Sequence, residues 1–149
     1  MLNKADIYEA CVNKLQHQIE ELQSAIDKVQ ESIENEENST AGNKFETARA
    51  MGQEEMDRLN RQMNLAQKQM GVLHQINPSL KCETAQIGAL VKTNKKLLYP
   101  CIGIGKLEID QDIVFAISAN SPIGQMLMGK TKGDKVVFAG KTEIIEAIY

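Results

Sequence analysis

The chain has 149 residues, enough for one ordinary domain or two small units, and its formal net charge of -3 excludes a globally basic nucleic-acid binder. The charge is divided: residues 1–75 carry eight Lys and Arg against thirteen acids, net -5, and residues 76–149 carry nine Lys against seven acids, net +2. Trp is absent, which argues against a stacking platform for single strands, and three unpatterned cysteines (Cys11, Cys82, Cys101) with no apolar leader or spanning run point to a reducing, cytoplasmic setting and no membrane.

The first half reads as helix. Tyr8, Val12, Leu15, Ile19, Leu22, Ile26, Val29 and Ile33 alternate steps of four and three, a heptad seam with Gln, Glu, Lys and Asn elsewhere. A second seam runs Phe45, Ala48, Gly52, Met56, Leu59, Met63, Ala66, Met70, Leu73, with one irregular step at Gly52. Residues 34–43 between them are polar except for Ala41. They predict a loop turned by Gly42, with Asn43 and Glu46 as a capping-box variant opening the second helix. The expected unit is an antiparallel coiled-coil hairpin over residues 1–76, its tip at about 34–43. Helices of about 30 residues at about 1.5 Å each would span about 45 Å. Dimerisation through the seams is the alternative for any such coil.

The second helix should stop near Asn77-Pro78, because proline excludes the helical conformation at the residue before it. Over 77–149 the texture changes to short strands, expected at 87–91, 97–104, 113–117, 136–139 and 143–148. They are punctuated by Gly, Asn-Lys and Gly-Asp. A short helix is expected over 121–128, with Ser121 as N-cap, Pro122 at N1 and Gly129 at the stop. The fold class is therefore α+β: a helical hairpin, then a mostly antiparallel sheet with one short helix.

Few motifs carry chemistry. Gly124-Gln-Met-Leu-Met-Gly129-Lys130-Thr131 satisfies the phosphate-loop pattern, but Ser121-Pro122 starts a helix before the first glycine and too little chain follows for a nucleotide-binding sheet. Gly103-Ile-Gly105 lacks the third glycine of a dinucleotide fingerprint. Neither His17 nor His74 has a second ligand at metal spacing, and no nucleophile–base arrangement can be argued, so no catalytic residue is assigned. Glu34, Glu36 and Glu37 crowd the expected tip. Carboxylates there can hold a hard cation such as Mg2+ that a partner also binds, or they can simply be a solvated acidic loop.

The block Ile117-Ser-Ala-Asn-Ser-Pro-Ile-Gly-Gln-Met-Leu-Met-Gly-Lys130 closely resembles the C-terminal signature of the bacterial Gre transcript-cleavage factors. Gly133-Asp134-x-Val136-Val137 and the segment 143–148 also resemble it, and Phe45-Glu-Thr-Ala-Arg49 looks like the family's segment just beyond the coil tip. The resemblance implies an FKBP-like C-terminal domain that grips the rim of the RNA polymerase secondary channel, and a coiled coil that enters the channel. Two tip acids would help bind the second catalytic Mg2+, so that the polymerase cleaves backtracked RNA. It implies RNA polymerase as partner, indirect contact with the RNA and DNA of the elongation complex, a monomer, no cofactor bound by the chain alone, and no enzyme activity of its own. Asn120, Ser121, Pro122 and Ile123 match the segment implicated in polymerase contact. The departure is at the tip: registering Phe45 and Arg49 puts Asn38 and Ala41 where the two acids would lie, and Glu36 and Glu37 are near but out of register.

Four functions follow: a cleavage-stimulating elongation factor, a secondary-channel regulator that does not stimulate cleavage, a prolyl isomerase, for whose aromatic-lined proline pocket the C-terminal half offers only Tyr99, Phe115, Phe138 and Tyr149, and a plain coiled-coil dimerisation module. Fold alone would not justify the isomerase.

Overall fold

A computed structural model describes residues 2–39 and 42–149, with side chains described outside 37–45. The heptad seams, free of proline, form α1 (Lys4–Ser39) and α2 (Gly42–His74). Six strands and one short helix follow: β1 (Val91–Thr93), β2 (Leu97–Cys101), β3 (Gly105–Ile109), β4 (Asp112–Ser118), α3 (Pro122–Leu127), β5 (Lys135–Phe138) and β6 (Lys141–Ile148). The fold is α+β. Among the described residues no helix is long and apolar enough to cross a membrane.

The expected polar loop over 34–43 is not what forms. Residues 34–39 continue α1, and Gly42 and Asn43 already belong to α2. Once nucleated, a helix propagates through Glu and Asn at small cost, and nothing between 34 and 39 is a proline or glycine that would stop it. Asn43 is therefore inside the helix rather than its cap, and Ala41 lies outside the described residues.

The chain divides into two compact units, Leu15–Gln69 and Met1–Lys14 with Met70–Tyr149. In the helical unit, Leu15 and Leu22 from α1 and Met56, Leu59, Met63 and Ala66 from α2 are buried. Gly52 is where the α2 seam steps irregularly, and it has a reason: a Cβ there would lie 2.8 Å from Ile33 Cγ1. The two helices approach at that level because one side chain is missing.

The other unit holds a six-stranded sheet in the order β3-β4-β2-β1-β6-β5. It is mixed. Four neighbouring pairs are antiparallel, but β2 and β4 run parallel, joined through β3 at the sheet edge. On one face Val91, Leu98, Val136, Phe138 and Ile145 pack with Ala85 and with Leu127 of α3. Each such aliphatic side chain contributes about 1.5–3 kcal/mol when fully buried. Tyr99, Val114 and Ala116 alternate with that set along β2 and β4 and are buried on the opposite face. Cys101 follows Tyr99 on that face and meets Cys11 of α1 through a thiol hydrogen bond, while Lys14 Nζ donates to the Lys106 carbonyl at 3.4 Å. The first turns of α1 therefore cover this side of the sheet. The strand expected over 87–91 forms instead at Val91–Thr93, because the Gly88 amide donates to the Pro100 carbonyl at 2.9 Å and Ala89 turns back onto Gln86.

Candidate partner-binding site

The connection from β4 to α3 is built around two serines. Ser121 donates its hydroxyl to the Ser118 carbonyl at 2.6 Å and accepts from the Gly124 amide at 3.0 Å. Its backbone is extended, as a helix N-cap requires, and Pro122 follows where no amide is needed. Ser118 Oγ accepts from the Asn120 amide at 3.2 Å, and Gln125 Nε2 donates to the Asn120 carbonyl at 3.3 Å. The clasp closes only because residue 124 is glycine. A Cβ there would sit 2.0 Å from the Ser118 carbonyl oxygen and 2.8 Å from Ala119 Cα, closer than any side chain can be tolerated.

What the clasp presents is chemically simple. Asn120, Pro122 and Ile123 are exposed and Ser121 is half-buried; Met126, one helical turn beyond Pro122, is exposed as well. Ile123 keeps 40% and Met126 41% of their surface, so an apolar pair stands in solvent beside an amide-rich loop. No ionisable side chain lies between Ser118 and Met128. Ser118 and Gly124 as parts of the clasp, and Met126 as an exposed neighbour of Ile123, are not apparent from the sequence reading. The signal was the spacing Ser118, Ser121, Gly124, which is one residue of clasp every three.

The same segment disposes of the phosphate-loop match. The amides that would cradle phosphate are occupied: Gly124 by Ser121, Met128 by the Gly124 carbonyl, Gly129 by the Ala85 carbonyl, Lys130 by the Leu127 carbonyl.

The three acids are placed on the last turns of α1, not on a loop. Glu34 is the third step of a ladder: Gln16 donates to Glu20 (3.4 Å), Gln23 to Asp27 (3.0 Å) and Gln30 to Glu34 (3.1 Å). These pairs recur every seven residues because the sequence repeats [Leu/Val]-Gln-x-x-Ile-acid three times from Leu15 to Glu34. Glu36 is half-buried and lines a shallow depression of about 420 Å³ with Lys28, Ser32, Gly52 and Glu55. The side chains of Glu37 and Asn38 lie outside the described residues. Among the described residues no three His, Cys, Asp or Glu side chains converge as a metal site.

The four aromatic residues of the isomerase reading do not converge. Tyr99 and Phe115 lie on opposite sheet faces, since Phe115 pairs in register with Leu98. Tyr99 and Phe138 are buried in the core. Tyr99 also carries a hydroxyl with no hydrogen-bond partner among the described residues, and burial pushes its ionisation well above the usual phenol range. Nearby, the hydrogen bond shared with Cys101 and then burial push the Cys11 thiol up, and the same hydrogen bond brings Cys101 below the usual thiol range; all three cysteines are free and buried.

Compared with family models and with curated proteins, the chain matches none.

Proposed function

We propose that this chain is an RNA polymerase-binding elongation factor of the Gre type. Its helices form an antiparallel coiled coil that enters the secondary channel, and its sheet unit is an FKBP-like domain that holds the channel rim through Asn120, Ser121, Pro122 and Ile123. The observation that carries this reading is the Ser118–Ser121–Gly124 clasp, which leaves Pro122 and Ile123 exposed on the segment that resembles the family's polymerase contact. The approach of Gly52 to Ile33, ten residues after α2 begins and six before α1 ends, supports the fold-back of the two helices. The mixed sheet with one short helix on one face supports the domain assignment. In the cleavage-stimulating form of this reading, Glu36 and Glu37 reach the polymerase Mg2+ and the polymerase does the chemistry. The protein itself is not an enzyme.

A second reading has its own support: the chain binds the channel without stimulating cleavage. Glu34 is already hydrogen-bonded along α1, and Asn38 and Ala41 replace the family's acids. Both readings meet one experiment, RNA cleavage by backtracked complexes of the cognate polymerase with and without the protein. Faster 3'-end cleavage that Glu36→Ala/Glu37→Ala loses supports the first. Unchanged or slower cleavage with polymerase binding intact supports the second, and no polymerase binding at all overturns both.

A further inference from the structure

The sheet unit contains a cleft of about 940 Å³ that the polymerase reading does not use, a volume within the range that takes small ligands. Its walls are apolar: Leu80, Leu90, Leu97, Ile148 and the Tyr149 ring. Leu80 stands 59% exposed at the edge, and Leu90 is buried in the floor.

The charges around it are unevenly compensated. Lys4 is only partly exposed, and its ammonium is held by neutral acceptors: the Leu80 carbonyl, the Gly88 carbonyl at 3.3 Å and Cys82 Sγ at 3.8 Å. No carboxylate pairs with it among the described residues. A part-buried cation neutralised by dipoles alone leaves a positive potential on the wall. Helix α1 starts at the same place. Asn3 caps it, with its side chain accepting from the Ala5 amide at 2.8 Å, and the positive end of a 36-residue helix dipole adds to the field. Lys81 and Lys92, both exposed, line the cleft without an ion pair among the described residues; Glu83 and Asp112 also line it. Asp6 in the first turn of α1 offsets the helix end, and the surplus that remains is that of Lys4, Lys81 and Lys92 over Glu83 and Asp112.

From these groups we infer that the cleft binds a small amphiphilic carboxylate, with its aliphatic chain against Leu80, Leu90, Leu97 and Ile148 and its anionic head toward Lys4, Lys81 and Lys92. The inference stands independently of the polymerase reading. Lys4 ties Leu80 to Gly88, so its replacement would disturb the cleft itself; the exposed pair Lys81 and Lys92 is the safer probe.

The test is calorimetric titration of the full chain with octanoate below its micelle concentration, with octanol, and with phosphatidylglycerol vesicles. Expected are saturable octanoate binding, octanol at least tenfold weaker, and a loss of at least tenfold in both Lys81→Gln/Lys92→Gln and Leu80→Asp. Circular dichroism and thermal midpoints should show both variants folded. Absent or non-saturating octanoate binding overturns the proposal, as does octanol binding equally well or a Lys81/Lys92 variant that binds like wild type. Vesicle binding without octanoate binding also overturns it and would assign the charge to a lipid surface.

Discussion

Thr93 and Glu143, fifty residues apart, meet in the interior through a 2.6 Å hydrogen bond from the threonine hydroxyl to Glu143 Oε1. Thr93 Oγ1 also accepts from the Lys95 and Lys96 amides at 3.1 and 3.0 Å, so one hydroxyl folds the β1–β2 turn and anchors it to β6. The second carboxylate oxygen lies 3.1 Å from Lys96 Nζ, whose ammonium stands 4.9 Å from the Phe138 ring centre. Glu143 is 2% exposed, and each of its two carboxylate oxygens has a partner.

That arrangement ranks three substitutions. Glu143→Ala leaves the Thr93 hydroxyl only the Lys96 carbonyl, at 3.3 Å, as acceptor and should cost about 1.5–3 kcal/mol, the range for a buried hydrogen bond to a charged group. Glu143→Gln keeps an acceptor for Thr93 and should cost less. Lys96→Met retains the stem over Phe138 but removes the ammonium paired with Glu143, and it should fall between them. Urea denaturation measures all three; Glu143→Ala within about 0.5 kcal/mol of wild type, the ordinary surface range, would refute the ranking.

Gly124 decides whether the Ser118–Ser121 clasp can close. Gly124→Ala places a Cβ against the Ser118 carbonyl, which is backbone and cannot swing aside. The expected cost is about 2–3 kcal/mol, at the upper end for overpacking, with loss of the exposed Pro122–Ile123 geometry. Ser121→Ala should cost about 1 kcal/mol as a lost N-cap. Ile123→Ala, on an exposed side chain, should leave the thermal midpoint unchanged and weaken polymerase binding. A polymerase affinity unmoved by Ile123→Ala and Met126→Ala together would remove this surface from the interface.

These particulars show what a sequence can declare. The helices were legible because apolar residues at heptad spacing have no other use, and the α3 start was legible because Ser, Pro and Gly each do a local job. The end of α1 was not. Glu, Asn and Ser are permissive in a helix, so residues 34–39 do not mark a stop of their own. The parallel pairing of β2 with β4 was equally hidden, since strand order is set by long-range packing and the local alternation looks the same for either direction. Glu143 reads as a solvent-facing residue of a strand, and only its pairing with Thr93 and Lys96 makes its burial tolerable. The tip acids were visible as charges, but the ladder that engages Glu34 required reading Gln16, Gln23 and Gln30 as a repeat.

Acid should test one surface carboxylate. Asp134 Oδ2 accepts from the Thr131 amide at 2.7 Å and from the Thr131 hydroxyl at 3.1 Å, and these bonds hold its carboxyl below the usual carboxylate range. With the folded value depressed, the stabilisation is fully present above the unfolded value of about 3.9 and is lost as pH falls through the lower folded value. Asp134→Asn should therefore lower the denaturation midpoint at about pH 7 and have little effect at about pH 2, so the two curves converge on acidification. A gap that stays constant with pH would show that the turn needs the shape of the side chain and not its charge.

Gly52 offers a test inside the helical unit. Glycine in a helix interior costs about 1 kcal/mol relative to alanine, so Gly52→Ala would stabilise α2 if space allowed. It does not: the new methyl would meet Ile33 Cγ1 at 2.8 Å and Cδ1 at 3.1 Å. Ile33 must shift by several tenths of an ångström in a seam already in contact, which offsets the propensity gain. Gly52→Ala alone should therefore be neutral or destabilising. In an Ile33→Ala background the obstruction is gone, and the same change should stabilise by about 1 kcal/mol relative to that background. The double-mutant cycle between positions 33 and 52 thus yields a coupling energy whose sign reports the contact. Additive effects would mean that the helices do not approach at this level.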